Sequence, residues 1–413
     1  MIGRPKVFEP VHALTAYWRA VRCRDEAQLA ALANRRLDHW LRHSVPRVPY
    51  YAGRQIRRLD DLPIIDKETV MADFAAFNRA GITAEAGWDA FAGDKMIGPY
   101  IVGASTGTSG NRGLFVVSQQ ERFRWLGTIL AKALPGFWRR PHRVAVLLPL
   151  NTPLYDSANR LSRLKLRFFD IGEDYFDDLC AFAPSVVIAP PKILRALAEA
   201  KAPIDPSHVF SGAEVLDDLD RAIIERHFPA PLGQIYMATE GLMAVSCAHG
   251  NLHLCEDTMH FELPQAGADP DLRAVIISDF SRDVQIMARY RMNDLIRLGP
   301  PCPCGLPHRT VAAVVGRADD CFDLPGGLVT PDILRNAVVD ADRRITDFRV
   351  LQTGAEQVEV VVPEGVDLAA VERAFAALFE RKGIAADVAV KSGPLAPQAG
   401  CKLRRVENRY RPG

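Results

Sequence analysis

The sequence predicts an α/β fold: a large N-terminal domain of sheets with flanking helices and a small β subdomain, then a small α+β domain. Three patterns predict it. Between about Ile101 and Glu240, short apolar, β-rich runs alternate with helical stretches, as in a largely parallel sheet. After about Leu252 the runs read as β-hairpins. Past Asp319, two strand patterns, an amphipathic helix and a further strand form a compact set. At 413 residues the chain is too long for one ordinary core, and a boundary near Asp319 gives units 1–318 and 319–413.

Each element has a local cause. "DEAQLAALANRRLDHWLRHSV" carries apolar residues at helical spacing, and Pro46 and Pro49 stop it. "DLPIIDKETVMADF" is a short extended piece, then a helix capped by Asp66 with Glu68 in its first turn. "RVAVLLPL", "SVVIAPP", "HVFSGAE" and "QIYMATE" are strands, separated by helices such as "KILRALAEAKA" and "LDDLDRAIIERHF". Three of these strands end in small or polar residues, and open α/β sheets bind ligands beyond the carboxyl ends of their strands. "AVIISDF" and "MARYRMNDLIRL" are hairpin strands, and "GRADDCFDLPGG" is a charged, Gly-rich junction. "ITDFRVLQT", "QVEVVVP" and "ADVAVKSG" are strands, joined by a helix "DLAAVERAFAALFERKG" that ends at Gly383.

Composition narrows the function classes. Net charge is +1, which gives no global field to draw in nucleic acid or anionic lipid. The N-terminus shows no long apolar h-region, and no run of about 18 apolar residues occurs. The expectation is a cytoplasmic protein with no membrane or nucleic-acid partner. Its eight cysteines then read as thiols or metal ligands rather than disulfides.

The stretch "ASTGTSGNRGLF" departs from ordinary globular sequence. It fails the P-loop pattern, because Asn111 follows Gly110, and it fails G-x-G-x-x-G. Ser105, Thr106, Gly107, Thr108, Ser109 and Gly110 still offer hydroxyls, exposed backbone N–H groups and close backbone approach to a phosphate. Alone, the stretch reads equally well as a polar turn. Downstream lie "YMATEG" with the pair Thr239-Glu240, "RYRMNDLIRL" with Asp294, "GRADD" with Arg317 and Asp319, and "AGCKLRRV" with Lys402.

In this order the motifs resemble the acyl-adenylate-forming (ANL) superfamily, most of all its phenylacetate–CoA ligase branch. The resemblance runs from "HSVPRVPYYAG" and "LDDLPIIDKETV" to the terminal lysine motif. It implies an ATP-dependent, AMP-forming acid ligase, activating a small, aromatic carboxylic acid and passing it to CoA. In that reading Ser105–Gly110 hold the β- and γ-phosphates, and Thr239 and Glu240 are catalytic, with Glu240 ligating Mg²⁺. Asp294 accepts from the ribose hydroxyls, and Arg317 meets ribose or phosphate. Gly212, Ala213, Glu214 and Tyr236 flank the adenine. Lys402, carried on a mobile C-terminal domain, stabilises the charge that develops in adenylation. Asp319 is the hinge. Tyr155 and Tyr236 line the acid pocket, Phe210 reads as core, and Lys67 reads as a surface helix residue.

The chain departs from the family pattern at Asn111-Arg112-Gly113, where Arg112 is expected to supply a charge, and at Cys401 before the lysine. These departures bear on the substrate and the acceptor. An acyl carrier protein's phosphopantetheine, or an amine, is the alternative acceptor, and a homodimer stays open. Cys247, His253, Cys302 and Cys304 are the best set for a structural Zn²⁺ in a subdomain around 247–304, a site common among relatives. His249, Cys255 or His308 could substitute. A zinc-stabilised binding protein without catalysis is the reading from a different class.

Overall fold

The computed structural model describes residues 9–23, 25–105, 112–148, 155–171, 174–342, 344–395 and 404–411. An eleven-stranded sheet dominates it. At one end the strands run parallel, in the order Leu164–Phe168, His142–Val146, Val186–Ala189, His208–Gly212, Leu232–Ala238. Alternation along these strands feeds two cores. Val144, Val146 and Val186 face the helices Glu9–Val21 and Gln119–Ala133. Ala145, Leu147 and Val187 face Pro191–Glu199 and Asp218–His227.

The chain leaves this parallel part through a two-residue turn. Ala238 pairs with Gly241, so Thr239-Glu240 form the tip of a hairpin into the antiparallel strand Gly241–Ser246. Gly241 has φ +155, and a Cβ there would lie 2.8 Å from the Met259 side chain and 2.9 Å from Asp279. The turn that presents Glu240 therefore requires glycine at its exit. The later hairpins extend the same sheet through Leu252–Leu254, Thr310–Arg317, Tyr290–Leu298, Leu272–Asp279 and Met259–Glu262. Hydrogen bonding is thus continuous from the parallel strands into the region expected to form a small β subdomain.

A four-stranded sheet near the C-terminus has the order Asp387–Ser392, Gln357–Val362, Arg349–Gln352, Val406–Asn408. It packs with the helices Pro331–Ala341 and Leu368–Lys382 around Phe348 and Phe375, in a core of its own. Gly383 ends the second helix in the left-handed conformation, as its sequence predicts. "LPGG" closes a hairpin between Phe322–Leu324 and Gly327–Val329, and Gly326 packs on the Gly383 carbonyl, so it belongs to this core. No helix among the described residues is long and apolar enough to cross a membrane.

Candidate active site

One cavity of about 740 Å³ opens at the carboxyl ends of the parallel strands, the place where open α/β sheets bind ligands. Ser105, Gly212, Ala213, Glu214, Tyr236, Thr239, Glu240, Asp294, Arg317 and Asp319 all line it. Thr106, Gly107, Thr108, Ser109 and Gly110, and Lys402, lie outside the described residues. Tyr100–Ala104 and Leu114–Ser118 pair as an antiparallel hairpin beside the cavity. The hairpin is closed at its end by Ser105 Oγ, which accepts from the Gly113 N–H at 2.8 Å.

Two carboxylates are held by phenols. Tyr236 donates to Asp294 Oδ2 at 2.6 Å, and Tyr290 donates to Glu240 Oε1 at 3.0 Å. Thr239 Oγ1 donates to the other oxygen of Glu240 at 2.8 Å. Burial pushes both phenols well above the ordinary tyrosine range, and the neighbouring carboxylates push the same way. The tyrosines therefore stay protonated donors and fix the carboxylates in place. Tyr290, Met292 and Asp294 share the less exposed face of their strand, and the intervening Arg291 and Asn293 line the cavity as well. Asp294 pairs in register with Arg317 on the next strand, which puts a carboxylate and a guanidinium side by side.

Arg282, which sequence reasoning missed, donates from Nη2 to the Thr239 carbonyl at 2.9 Å and lies 3.6 Å from Asp279. It braces the turn that presents Glu240. Lys192 lies 3.5 Å from Glu214, and Ala213 holds φ +65, a strained value for a residue with a Cβ. Lys67 lines the cavity instead of standing on an outer surface. Arg112 does not line it. Its guanidinium lies 5.1 Å from the Trp88 ring and 5.3 Å from the Phe91 ring and donates to the Ser105 carbonyl at 3.2 Å. Cation–π contact thus holds it at the base of the loop, which corrects the expectation that it charges the site. Phe210 lines the cavity while belonging to the core. Tyr155 begins a short 3-10 helix, Tyr155–Arg160, and its side chain lies outside the described residues.

The C-terminal core reaches this cavity. Arg404 lines it and pairs with Asp320. Arg405 pairs with Asp217, lies 2.7 Å from Asp220 and 2.9 Å from Asp347, and is 9% exposed in its side chain. Asp217 caps the helix Asp218–His227, accepting from the Asp220 N–H at 3.0 Å. Arg195 lies 3.1 Å from Asp220 and donates to the Thr346 carbonyl at 2.6 Å. This buried network joins the parallel sheet's helices to the segment just beyond Lys402. Asp217 and Asp220 were visible only as "LDDLD" and Arg405 only as "KLRR".

Cys247, His253, Cys302 and Cys304 place their ligand atoms within 4.8 Å of one another. The Cys247 and Cys302 sulfurs are 3.7 Å apart, and Cys304 Sγ is 3.4 Å from His253 Nε2. Sulfurs bound at about 2.3 Å in a tetrahedron would sit ~3.8 Å apart. His253 Nδ1 faces the His308 carbonyl at 3.0 Å, which turns Nε2 toward the thiols. The His249 and Leu306 N–H groups each donate to a sulfur at 3.4 Å, favouring thiolates. Cys255 is fully buried, with its thiol pushed up to about 12 chiefly by burial, and stands outside the cluster, as do His249 and His308 among the alternatives.

The fold is that of the acyl-adenylate-forming ligases. More particularly, the chain is similar to 2-hydroxyisobutyryl-CoA ligase in its postadenylation state. There the TM-score is 0.71 at 16% identity, over 95% of this chain and 93% of that one. Against the same ligase in the thioesterification state, with CoA, the TM-score is 0.56 at 17% identity, over 98% and 94%. ATP-bound MatB from Rhodopseudomonas palustris gives 0.52 at 14% identity, over 70% and 63%. No family model and no curated protein matches the chain.

Proposed function

We propose that this protein is an ATP-dependent, AMP-forming acid–thiol ligase. A substrate carboxylate attacks the α-phosphorus of ATP, forming acyl-AMP and releasing pyrophosphate. A thiol then attacks the acyl carbon, forming a thioester and releasing AMP. The observation that carries this reading is convergence. Tyr236 and Glu240 from one strand end, Asp294 and Arg317 from two later strands, line one cavity that Arg404 also reaches, two residues beyond Lys402.

The residues suit that chemistry. Both oxygens of Glu240 are oriented by hydroxyl donors, and a hard cation carrying phosphates suits such a carboxylate, so Glu240 would hold Mg²⁺. The cation would neutralise phosphate charge. Asp294 would accept from the ribose hydroxyls, beside Arg317. Gly212, Ala213, Glu214 and Tyr236 would flank the adenine, and Ser105–Gly110 would hold the outer phosphates. Lys402 would donate to the oxygens gathering charge in adenylation. The division near Asp319 would let the C-terminal unit swing between half-reactions. The higher TM-score to the postadenylation state than to the thioesterification state supports reading the present arrangement as the adenylation pose. CoA is the expected thiol, a carrier protein the alternative, and cytoplasm the expected location. An acid panel containing aromatic and alkyl members, assayed for acid-dependent pyrophosphate release, tests the reading. If no acid supports release, the inactive binding protein replaces it.

The cysteine–histidine cluster would hold a structural zinc, since four protein ligands leave no open coordination position. Purified protein is expected to contain stoichiometric zinc, and Cys302→Ser to lose it with a lowered Tm. Metal-free protein that unfolds at the same temperature as the untreated sample would refute this.

A further inference from the structure

Resting on the ligase reading, we propose that the acid is a medium- or long-chain alkyl carboxylic acid. Its tail would lie in an apolar tunnel between the helix Gln119–Ala133 and the parallel strands. The cavity does not end beside Glu240. Its lining continues along one helix face from Glu121 through Trp125 and Ile129 to Leu134, a distance of about 20 Å at the helical rise. On the sheet side the lining passes from Leu232–Ala238 across three strands to the outer strand Leu164–Phe168, about 19 Å at the usual strand spacing.

The walls are aliphatic. Val144, Val146, Leu164, Leu166, Val186 and Ile188 face the helix from alternate strand positions. Thr128, the polar residue amid the helix face, donates its hydroxyl to the Arg124 carbonyl at 3.0 Å. Leu134 and Leu164, both buried, close the far end. Interiors normally pack without voids, and an apolar void costs stability in proportion to its volume. A void of this length inside a core cluster fits an apolar ligand that fills it. A single aromatic ring would occupy the end beside Phe210 and Tyr236 and leave the reach to Leu164 empty.

Pyrophosphate release should be compared across butanoate, octanoate, dodecanoate, benzoate and phenylacetate. We expect kcat/KM to rise roughly fourfold per added methylene until the chain fills the tunnel. Ala133→Trp, on the helix wall, should lower the dodecanoate-to-butanoate ratio of kcat/KM by at least about tenfold. A flat series, or preference for benzoate or phenylacetate, overturns the proposal, and the wild-type series decides even if the variant fails to fold. Binding separates this failure from failure of the ligase reading. Dodecanoate brominated on its chain should quench tryptophan fluorescence in the wild type, and that quenching should fall in Trp125→Phe, whether or not pyrophosphate is released. No quenching in the wild type, or equal quenching in both proteins, overturns the tunnel on its own.

Discussion

Lys402→Ala is expected to cut acid-dependent pyrophosphate release by about 10²–10³-fold, the usual cost of removing one preorganised donor to developing charge. Thioester formation from supplied acyl-AMP should change by no more than a few-fold, because that step gathers no new charge on the α-phosphate. Lys402 itself lies outside the described residues. Its place in the reaction rests on its neighbours in the chain: Arg404 lines the cavity, and Arg405 is locked to the helix Asp218–His227. Parallel assays of the two half-reactions check the split. Equal losses in both would remove Lys402 from the adenylation step.

Arg405→Met should have the second largest effect. Arg405 is buried between Asp217, Asp220 and Asp347, and those carboxylates hold its guanidinium more firmly protonated than usual against the opposing effect of burial. Removing one partner from a buried ion network costs about 3–5 kcal/mol, because the others lose their compensation. Here the loss can be relieved by undocking. Water then reaches Asp217 and Asp220, while the C-terminal core keeps its own apolar centre around Phe348 and Phe375. The cost should therefore appear as a shift away from the docked arrangement, with adenylation slowed about 100-fold. Thioester formation from acyl-AMP should fall far less, and Arg405→Lys should recover part of the loss. Hydrogen exchange at the start of the helix Asp218–His227 should rise in Arg405→Met. Unchanged exchange with normal adenylation would show that the network does no docking.

Much of this site was legible in the sequence, for a physical reason. Asp294 and Arg317 lie on strands whose β-rich runs are unmistakable, Glu240 sits in the turn that ends another, and period-two alternation sends Tyr290 and Asp294 to one face. The four zinc-type ligands were also identifiable, because thiols and imidazoles cluster in only one part of the chain. Other parts were hidden. The helix Gln119–Ala133 is announced only by Ser118 and Glu121, which form a capping box, ahead of a run of mixed polarity. That helix forms one wall of the tunnel. Arg405 looked like part of a solvated basic tail, because nothing local shows that Asp217 and Asp220 await it. Arg112 looked available to a phosphate, because its aromatic partners, Trp88 and Phe91, sit on the earlier helix Ala84–Ala92.

The central claim is that a carboxylate is activated by attack on the α-phosphorus of ATP. The most direct measurement supplies an acid labelled with heavy oxygen in its carboxyl group, with ATP, Mg²⁺ and CoA, and follows the label by mass spectrometry. Pyrophosphate and AMP should appear in equal amounts and only when acid is present, with heavy oxygen in the phosphate of AMP. Label in inorganic phosphate with formation of ADP, or nucleotide turnover independent of every acid, would contradict it.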